Sequence, residues 1–257
     1  IEEMKKFKYP ITNRDILKQY NFSFPRELIA NTPASPRDSA QLLIYDRTTD
    51  KAQYDTFLNL PKYLPKGAVI VMNDTKVIPA RLTLVKPTGG KVRVLYVSTE
   101  KNTINVLADT KLVDGIVLTL TESISFTVRN RIGEYYVLQP SFSIKDLYTI
   151  LEKYGTAPLP PYIKDTPLKE KRLRTEYQSV FARALGSIAA PTASLHFTKR
   201  LLARLKKAGH EVLFVTLHVG LGTFKPLTEE RMKSGVLHEE YYEVSAQTAR
   251  RLNEAKK

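Results

Sequence analysis

Two short segments of the sequence contain the side chains best suited to proton transfer. Residues 186–198 and residues 215–224 each combine one histidine, His196 or His218, with hydroxyl groups and several small residues. An imidazole has an unperturbed pKa of about 6.5, so it can accept or release a proton near neutral pH. Glycines in such segments let the backbone approach a ligand closely. If the fold brings the two segments together, they predict an acid–base site.

Each segment is predicted to follow the end of a strand. Residues 187–190 indicate a short strand that ends at a proline, because proline has no N–H to donate to a sheet. Residues 212–217 are apolar on both faces, which predicts a central strand covered on both sides. Thr198 is predicted to cap a helix that runs between the two segments. The residues at or directly after the strand ends are Ala190, Pro191 and Thr192 in the first segment and His218, Gly220, Gly222 and Thr223 in the second.

A third strand end carries similar chemistry. Residues 68–72 are apolar on both faces, and they lead directly into Asn73, Asp74, Thr75 and Lys76, with Arg81 just beyond. In open α/β sheets, ligands bind beyond the carboxyl ends of the strands. A plain strand–turn connection with a hydrogen-bonded histidine would explain any one of these segments alone. Similar chemistry at several strand ends favours a site.

The middle of the chain has a different pattern. Between residues 91 and 138, five short runs rich in β-branched and aromatic residues are separated by glycine-containing turns. This pattern is typical of a small antiparallel barrel or sandwich. We therefore predict an α/β fold: a three-layer α/β/α domain formed by residues 1–78 and 154–257, with a small antiparallel β-barrel domain, residues 79–153, inserted into it.

Composition limits the classes of function. Among 257 residues there is no cysteine, which excludes disulfides and thiolate chemistry, and 42% are hydrophobic, as in ordinary globular domains. The formal net charge is +14, from 40 Lys and Arg against 26 Asp and Glu. Such an excess suggests a polyanionic partner such as nucleic acid, although a lysine-rich solubilising surface explains it equally well. With no apolar run of membrane-spanning length and no secretion signal, we expect a cytoplasmic protein that does not bind membranes.

A proline-rich loop at residues 155–163 is predicted to be stiff, because each proline fixes its own φ and restricts the residue before it. Such a loop suits the task of holding Tyr162 in place. A linker between domains is the alternative interpretation.

Taken together, seven motifs resemble one family, the S-adenosylmethionine:tRNA ribosyltransferase-isomerases of queuosine biosynthesis. The matching pieces are residues 24–30, 73–82, 158–163, 177–180, 189–198 and 217–224, and His238 together with Glu240. The resemblance implies an α/β domain with an inserted β-barrel. It also implies that the ribosyl group of S-adenosylmethionine is transferred to 7-aminomethyl-7-deazaguanine at the wobble position of a tRNA with a GUN anticodon, and isomerised. The products would be epoxyqueuosine, adenine and methionine, with no metal required, and we expect a monomer.

The implied reaction assigns roles to the residues singled out above. It needs a base for the acidic proton beside the sulfonium, a means of positioning the incoming amine, and assistance to the departing adenine. The resemblance covers three histidines as candidates for the proton steps, and Glu240 or Asp74 could orient a histidine or neutralise the sulfonium. Lys76 and Arg81 suit a phosphate or a carboxylate. The predicted catalytic residues are His196, His218, His238 and Glu240, and the predicted substrate-binding residues are Asn73, Asp74, Thr75, Lys76, Arg81, Tyr162, Ala190, Pro191, Thr192, Gly220, Gly222 and Thr223.

The sequence departs from the family pattern at several places. Ser194 stands where the family usually has glycine, Gly235 where it has histidine, and Arg93 where it has glutamate. The family's sequences also continue with three further motifs that are not found here, so we expect a chain that lacks the C-terminal segment. His210, which follows the predicted helix, is expected at the surface.

Two other functions stay open at this stage. Three histidines can form a zinc hydrolase site, although no pair here has the helical i, i+4 spacing of many zinc ligands. A tRNA-binding protein without catalysis is the other alternative. A serine hydrolase is disfavoured because neither Ser187 nor Ser194 lies in a Gly-x-Ser-x-Gly motif.

Overall fold

The computed structural model describes residues 18, 19, 22–163, 165–220, 222, 228–237 and 239–256. Its strands are β1 (Gln41–Asp46), β2 (Lys51–Thr56), β3 (Val69–Asn73), β4 (Thr75–Val77), β5 (Arg81–Val85), β6 (Lys91–Glu100), β7 (Thr103–Ala108), β8 (Val117–Thr121), β9 (Ile124–Ile132), β10 (Tyr135–Pro140), β11 (Ala184–Ser187), β12 (Glu211–Leu217) and β13 (Tyr242–Glu243). Its α-helices are α1 (Leu147–Tyr154), α2 (Glu170–Glu176), α3 (Lys199–Lys207), α4 (Glu229–Ser234) and α5 (Ala246–Ala255). Short 3₁₀ helices span Arg26–Leu28, Arg37–Ser39, Phe57–Lys62, Ile144–Asp146 and Thr192–His196.

Six antiparallel strands close into the predicted barrel, in the order β10-β7-β6-β5-β8-β9. Along β6 the side chains alternate, so that Val92, Val94 and Tyr96 are buried while their neighbours are more exposed. Together with Phe126 and other buried side chains, they fill the interior as a hydrophobic core. The barrel is therefore a packed support. The five predicted strands are confirmed, and the sixth, β5, was missed although its alternation of Arg81, Leu82, Thr83 and Leu84 resembles that of β6.

The α/β part is built on a small sheet in which β12 lies between β3 and β13. β3 and β12 are parallel, with Val69 opposite Glu211 and Asn73 opposite Val215, so their carboxyl ends meet at one edge. Beside this sheet, β4 pairs in parallel with β11. The α/β class with an inserted barrel is confirmed, and the proposed domain boundaries at residues 78 and 154 stay a prediction.

Helices cover the two faces of β12. On one face, Leu201 and Leu205 of α3 are fully buried against Met72 and their neighbours. The Thr198 hydroxyl accepts the N–H of Leu201, so the predicted N-cap is confirmed. On the other face, Arg251 of α5 donates to Glu211 at 2.7 Å.

The covering of the second face is incomplete. Val71, which lies on β3 beside β12, remains 47% exposed in the described structure. The prediction that the central strands are covered on both sides is therefore wrong for this face, because α5 packs along β12 and leaves part of β3 open to solvent.

The strand before Pro191 differs from its prediction. The strand β11 ends at Ser187 and not at residue 190, and its pairing with β4 shifts between Leu185 and Ser187. Gly186, which has a φ of +150°, lies at this shift, and Ser187 after it pairs with Val77. The N–H groups of Ile188 and Ala189 instead donate to the carbonyl of Val219, at 3.0 and 3.2 Å. This exchange fixes the segment after β11 against the segment after β12.

Gly155 joins the barrel's helix to the α/β part at a point where no side chain fits. It follows α1, and a Cβ at this position would lie 1.9 Å from the backbone oxygen of Pro79 and 2.5 Å from that of Leu151. Because both neighbours are backbone atoms, Gly155→Ala requires the chain itself to move. We expect a loss of about 1–3 kcal/mol or more in the free energy of unfolding, measured by denaturant titration.

The matched control is Gly90→Ala. A Cβ at Gly90 would come no closer than 3.8 Å to Thr88 Oγ1, which is an ordinary contact. This variant is expected to change stability by about 0.5 kcal/mol or less. Equal losses in the two variants would contradict the steric explanation.

Candidate active site

His218 is held at the sheet edge where β12 ends. Its Nδ1 lies 2.8 Å from the hydroxyl oxygen of Thr75, the first residue of β4, which is fully buried. The ring stacks on Tyr241, with 5.2 Å between ring centroids and 23° between ring planes. Gly186 lies against the face of the ring at its Nε2 edge, where a Cβ would come within 2.5 Å of Nε2, 2.6 Å of Cδ2 and 2.8 Å of Cε1.

The electrostatic surroundings keep His218 neutral near pH 7. Partial burial lowers its pKa below the ordinary value, and the carboxylates of Asp74 and Glu243 oppose this shift without cancelling it. In the tautomer whose Nδ1–H donates to the Thr75 hydroxyl, the neutral imidazole can accept a proton at Nε2. This geometry suits a general base.

Asn73 and Asp74 fix the strand ends. The Asn73 amide donates to the carbonyl of Leu217 at 2.8 Å, and its oxygen accepts the N–H groups of Leu217 and Thr75. The buried carboxylate of Asp74 accepts hydrogen bonds from Arg183 and from the Thr216 hydroxyl. These side chains are thus occupied by the protein itself, and they position the loop that carries His218.

Glu240 and Ser187 hold the rest of that loop. The Oε1 atom of Glu240 accepts the N–H of Gly220 at 2.8 Å. The fully buried Ser187 hydroxyl accepts the N–H of Val219 and donates to the carbonyl of Ala189, each at 2.8 Å. One oxygen of Glu240 therefore shapes the glycine loop, and the carboxylate brings negative charge to the same edge as His218.

A second group of predicted residues lines a cavity of about 220 Å³ beside the proline-rich loop. Tyr162, Thr192 and His196 all contribute to its wall. Burial lowers the pKa of His196, whose ring packs at 5.3 Å from that of Phe57. Neither Asn73 nor His218 is among the described residues that line this cavity. The structure therefore arranges the predicted residues as two groups, one at the sheet edge and one at this cavity.

The remaining predicted residues have mixed positions. Lys76 is exposed on β4, whereas the Arg81 guanidinium donates to the carbonyl of Leu159 in the proline-rich loop at 3.3 Å. Ala190 is buried and packs with residues near the cavity, and Pro191 precedes the 3₁₀ helix Thr192–His196. Gly222 is half-buried. His238 and Thr223 lie outside the described residues.

The prediction that His210 lies at the surface is wrong. It is only 6% exposed, and its Nδ1 has no hydrogen-bond partner in the part of the chain that the structure describes. Its backbone N–H donates to Leu205, so the turn from α3 into β12 folds the side chain inward. The position of His210 just after helix α3 was therefore not a reliable sign that its side chain is exposed.

Four further residues belong to these two groups and were not predicted from the sequence: Arg183, Gly186, Tyr177 and Tyr241. Arg183 contacts Asp74, Gly186 faces the His218 ring, and Tyr177 lines the cavity. Tyr177 lay within a recognised motif, and this signal could have singled it out.

Comparison with known proteins identifies the family. A family profile described as queuosine biosynthesis protein matches residues 17–257, which is nearly the whole chain. The chain belongs to this family. The predicted resemblance is therefore confirmed.

Individual members of the queuosine biosynthesis family agree with the profile. The S-adenosylmethionine:tRNA ribosyltransferase-isomerase of Rubrobacter xylanophilus is 41% identical over 241 residues, covering 93% of this chain and 70% of that protein. The protein of the same name from Aquifex aeolicus is 38% identical over 242 residues, covering 92% of this chain and 70% of that protein. A solved S-adenosylmethionine tRNA ribosyltransferase from Thermotoga maritima shares 25% identity with a TM-score of 0.39, covering 93% of this chain and 65% of that one.

These names confirm the predicted enzyme class, a transferase and isomerase of queuosine biosynthesis, at the level of the family. Among the described residues, no group of three or more His, Asp or Glu side chains is arranged to hold a metal ion. No helix in the described part of the chain is long and apolar enough to cross a membrane.

Proposed function

We propose that this chain transfers the ribosyl moiety of S-adenosylmethionine to 7-aminomethyl-7-deazaguanine at the wobble position of tRNA and isomerises it. The products of the proposed reaction are epoxyqueuosine, adenine and methionine. The proposal includes a tRNA with a GUN anticodon as the acceptor, a cytoplasmic location and a monomeric enzyme. Family membership supports the reaction class, and the geometry around His218 supports the chemistry.

The observation that carries the proposal is the anchored, neutral imidazole of His218. Protons on a carbon beside a sulfonium are acidic, and their removal needs a base that is unprotonated at working pH. His218 meets this requirement in the tautomer whose Nδ1–H donates to Thr75, because Nε2 is then unprotonated and burial lowers the pKa of the ring. In this proposal Nε2 accepts the proton, and the carboxylates of Glu240 and Glu243 contribute negative charge near the sulfonium.

The proposed reaction is tested by adenine release. Purified protein is incubated with S-adenosylmethionine and tRNA that carries the 7-aminomethyl-7-deazaguanine base, and free adenine is quantified. We expect release with this tRNA and none with tRNA that carries guanine at the same position, because the incoming amine is then missing. Equal release with the two tRNAs would contradict the proposed acceptor.

The salt dependence of binding tests the contact with tRNA separately. Each neutralised phosphate contributes about 0.7–0.9 to the slope of log affinity against log salt concentration. The net charge of +14 makes a steep slope the expected result. Steep salt dependence without adenine release would replace the proposed enzyme by a tRNA-binding protein.

A further inference from the structure

The cavity beside the proline-rich loop is small and mostly apolar. Its volume is about 220 Å³, and its wall includes Leu159, Pro160 and Leu195. Pockets for drug-sized ligands usually measure about 300–1,000 Å³. This cavity therefore suits a single ring system better than a complete nucleoside with its amino-acid chain.

One polar side chain that lines this apolar space has a hydroxyl without a hydrogen-bond partner among the described residues. Tyr177 is 7% exposed and lines the cavity, and its hydroxyl has no hydrogen-bond partner in the described structure. Burial raises the pKa of Tyr177 to about 12. The backbone N–H of Ala190 lowers this pKa, but an N–H can only donate to the hydroxyl oxygen, so the hydroxyl proton itself has no acceptor among the described residues. The hydroxyl thus keeps its proton at neutral pH and is available as a donor. A buried hydroxyl without a partner is costly, and a ligand with an acceptor atom would remove that cost.

The charges at the cavity favour a neutral ligand. Arg37 is the cation among the described lining residues, and it is engaged by the carbonyls of Thr175 and Gln178 and by the carboxylate of Glu176. His196 is neutral near pH 7 because burial lowers its pKa. The described wall therefore offers no free positive charge to a phosphate.

We propose that this cavity binds the adenine base of the sulfonium nucleoside, with the Tyr177 hydroxyl donating a hydrogen bond to a ring nitrogen. Adenine is planar and neutral, and its ring nitrogens are acceptors. The donor nucleoside carries no phosphate, whereas a base within tRNA is flanked by two, so the charges favour the donor's base over the acceptor's. This inference rests on the proposed function, because that function supplies the donor.

The inference is tested by calorimetric binding of adenine and of 5′-methylthioadenosine to the full chain without tRNA. Tyr177→Phe removes only the hydroxyl and should weaken both ligands about three- to tenfold, the usual effect of one neutral hydrogen bond. Ala34→Phe places a ring in the cavity, which Ala34 lines, and should abolish binding. The matched control is Tyr136→Phe, because Tyr136 is a buried tyrosine of the barrel, and its affinities should equal those of the unaltered chain.

Three results would overturn the inference: no binding of adenine to the unaltered chain, unchanged affinity in both cavity variants, or tighter binding of free 7-aminomethyl-7-deazaguanine than of adenine at this cavity. Thermal unfolding of each variant shows whether it is folded, and Tyr177→Phe decides the question if Ala34→Phe does not fold.

The adenine-release assay separates the two proposals. Adenine binding that depends on Tyr177 in a chain without turnover supports the cavity and rejects the reaction. Turnover in a chain whose adenine binding is unaffected by either cavity variant supports the reaction and rejects the cavity as the adenine site.

Discussion

Replacing His218 by alanine is expected to lower the rate of adenine release by about 10²–10⁴-fold, the usual contribution of a general base. The reason is that the anchored imidazole is, among the described residues of this sheet edge, the histidine that can accept a proton near neutral pH. The affinity for tRNA is expected to change little, because a neutral side chain contributes little to phosphate binding. The measurement is single-turnover release of adenine, together with tRNA affinity at one fixed salt concentration.

The pH profile distinguishes a base from a merely structural histidine. Protonation of Nε2 removes the base, so the rate should fall as the pH drops through the pKa of His218. Burial lowers that pKa, and the fall should therefore be centred below about 6.5. The residual activity of His218→Ala should lack this acid limb.

A matched histidine at the other end of β12 provides the control. His210 precedes Glu211, whereas His218 follows Leu217, so the strand separates them. His210→Gln should retain the rate of release per folded molecule, even if its stability falls. Full turnover by His218→Ala with an unchanged acid limb would remove His218 from the mechanism.

The strand ends were predictable because their sequence signals are local. An apolar run followed by polar residues marks the end of a buried strand, and it placed Asn73 and His218 at the carboxyl ends of β3 and β12. The barrel was predictable for the same reason, since alternation and turn residues are visible in the sequence.

The grouping of the site residues was not predictable, because it depends on how distant segments pair. Nothing in the sequence indicates that the Asn73 amide bonds to the backbone of Leu217, although that contact makes Asn73 a positioning residue. The expectation of one shared pocket came from chemical similarity between strand ends. His218 is not among the described residues that line the cavity to which Thr192 and His196 contribute.

Gly186→Ala is expected to lower adenine release by about as much as the loss of His218 itself. A Cβ at Gly186 would lie 2.5 Å from Nε2 and 2.6 Å from Cδ2 of His218. Thr75 anchors the opposite side of the ring, so the imidazole can escape only by giving up that hydrogen bond. The φ of +150° at Gly186 adds backbone strain for any residue with a side chain. The measurement is adenine release, combined with the free energy of unfolding.

A double-mutant cycle separates the clash from the backbone strain. His218→Ala removes the ring that the new methyl group would meet, so the combined variant Gly186→Ala/His218→Ala should be more stable than the two single losses predict, with a coupling of about 0.5–3 kcal/mol. The part of the loss in unfolding free energy that comes from the φ of residue 186 should persist in the double variant, because this backbone strain does not depend on His218. Leu185→Ala, at a half-exposed neighbour on β11, controls for general disturbance of the strand and should keep normal activity. Additive losses in stability would show that the new methyl group does not meet the His218 ring. An active Gly186→Ala would show that catalysis does not need the ring in this position, and would move the proposed base away from this edge of the sheet.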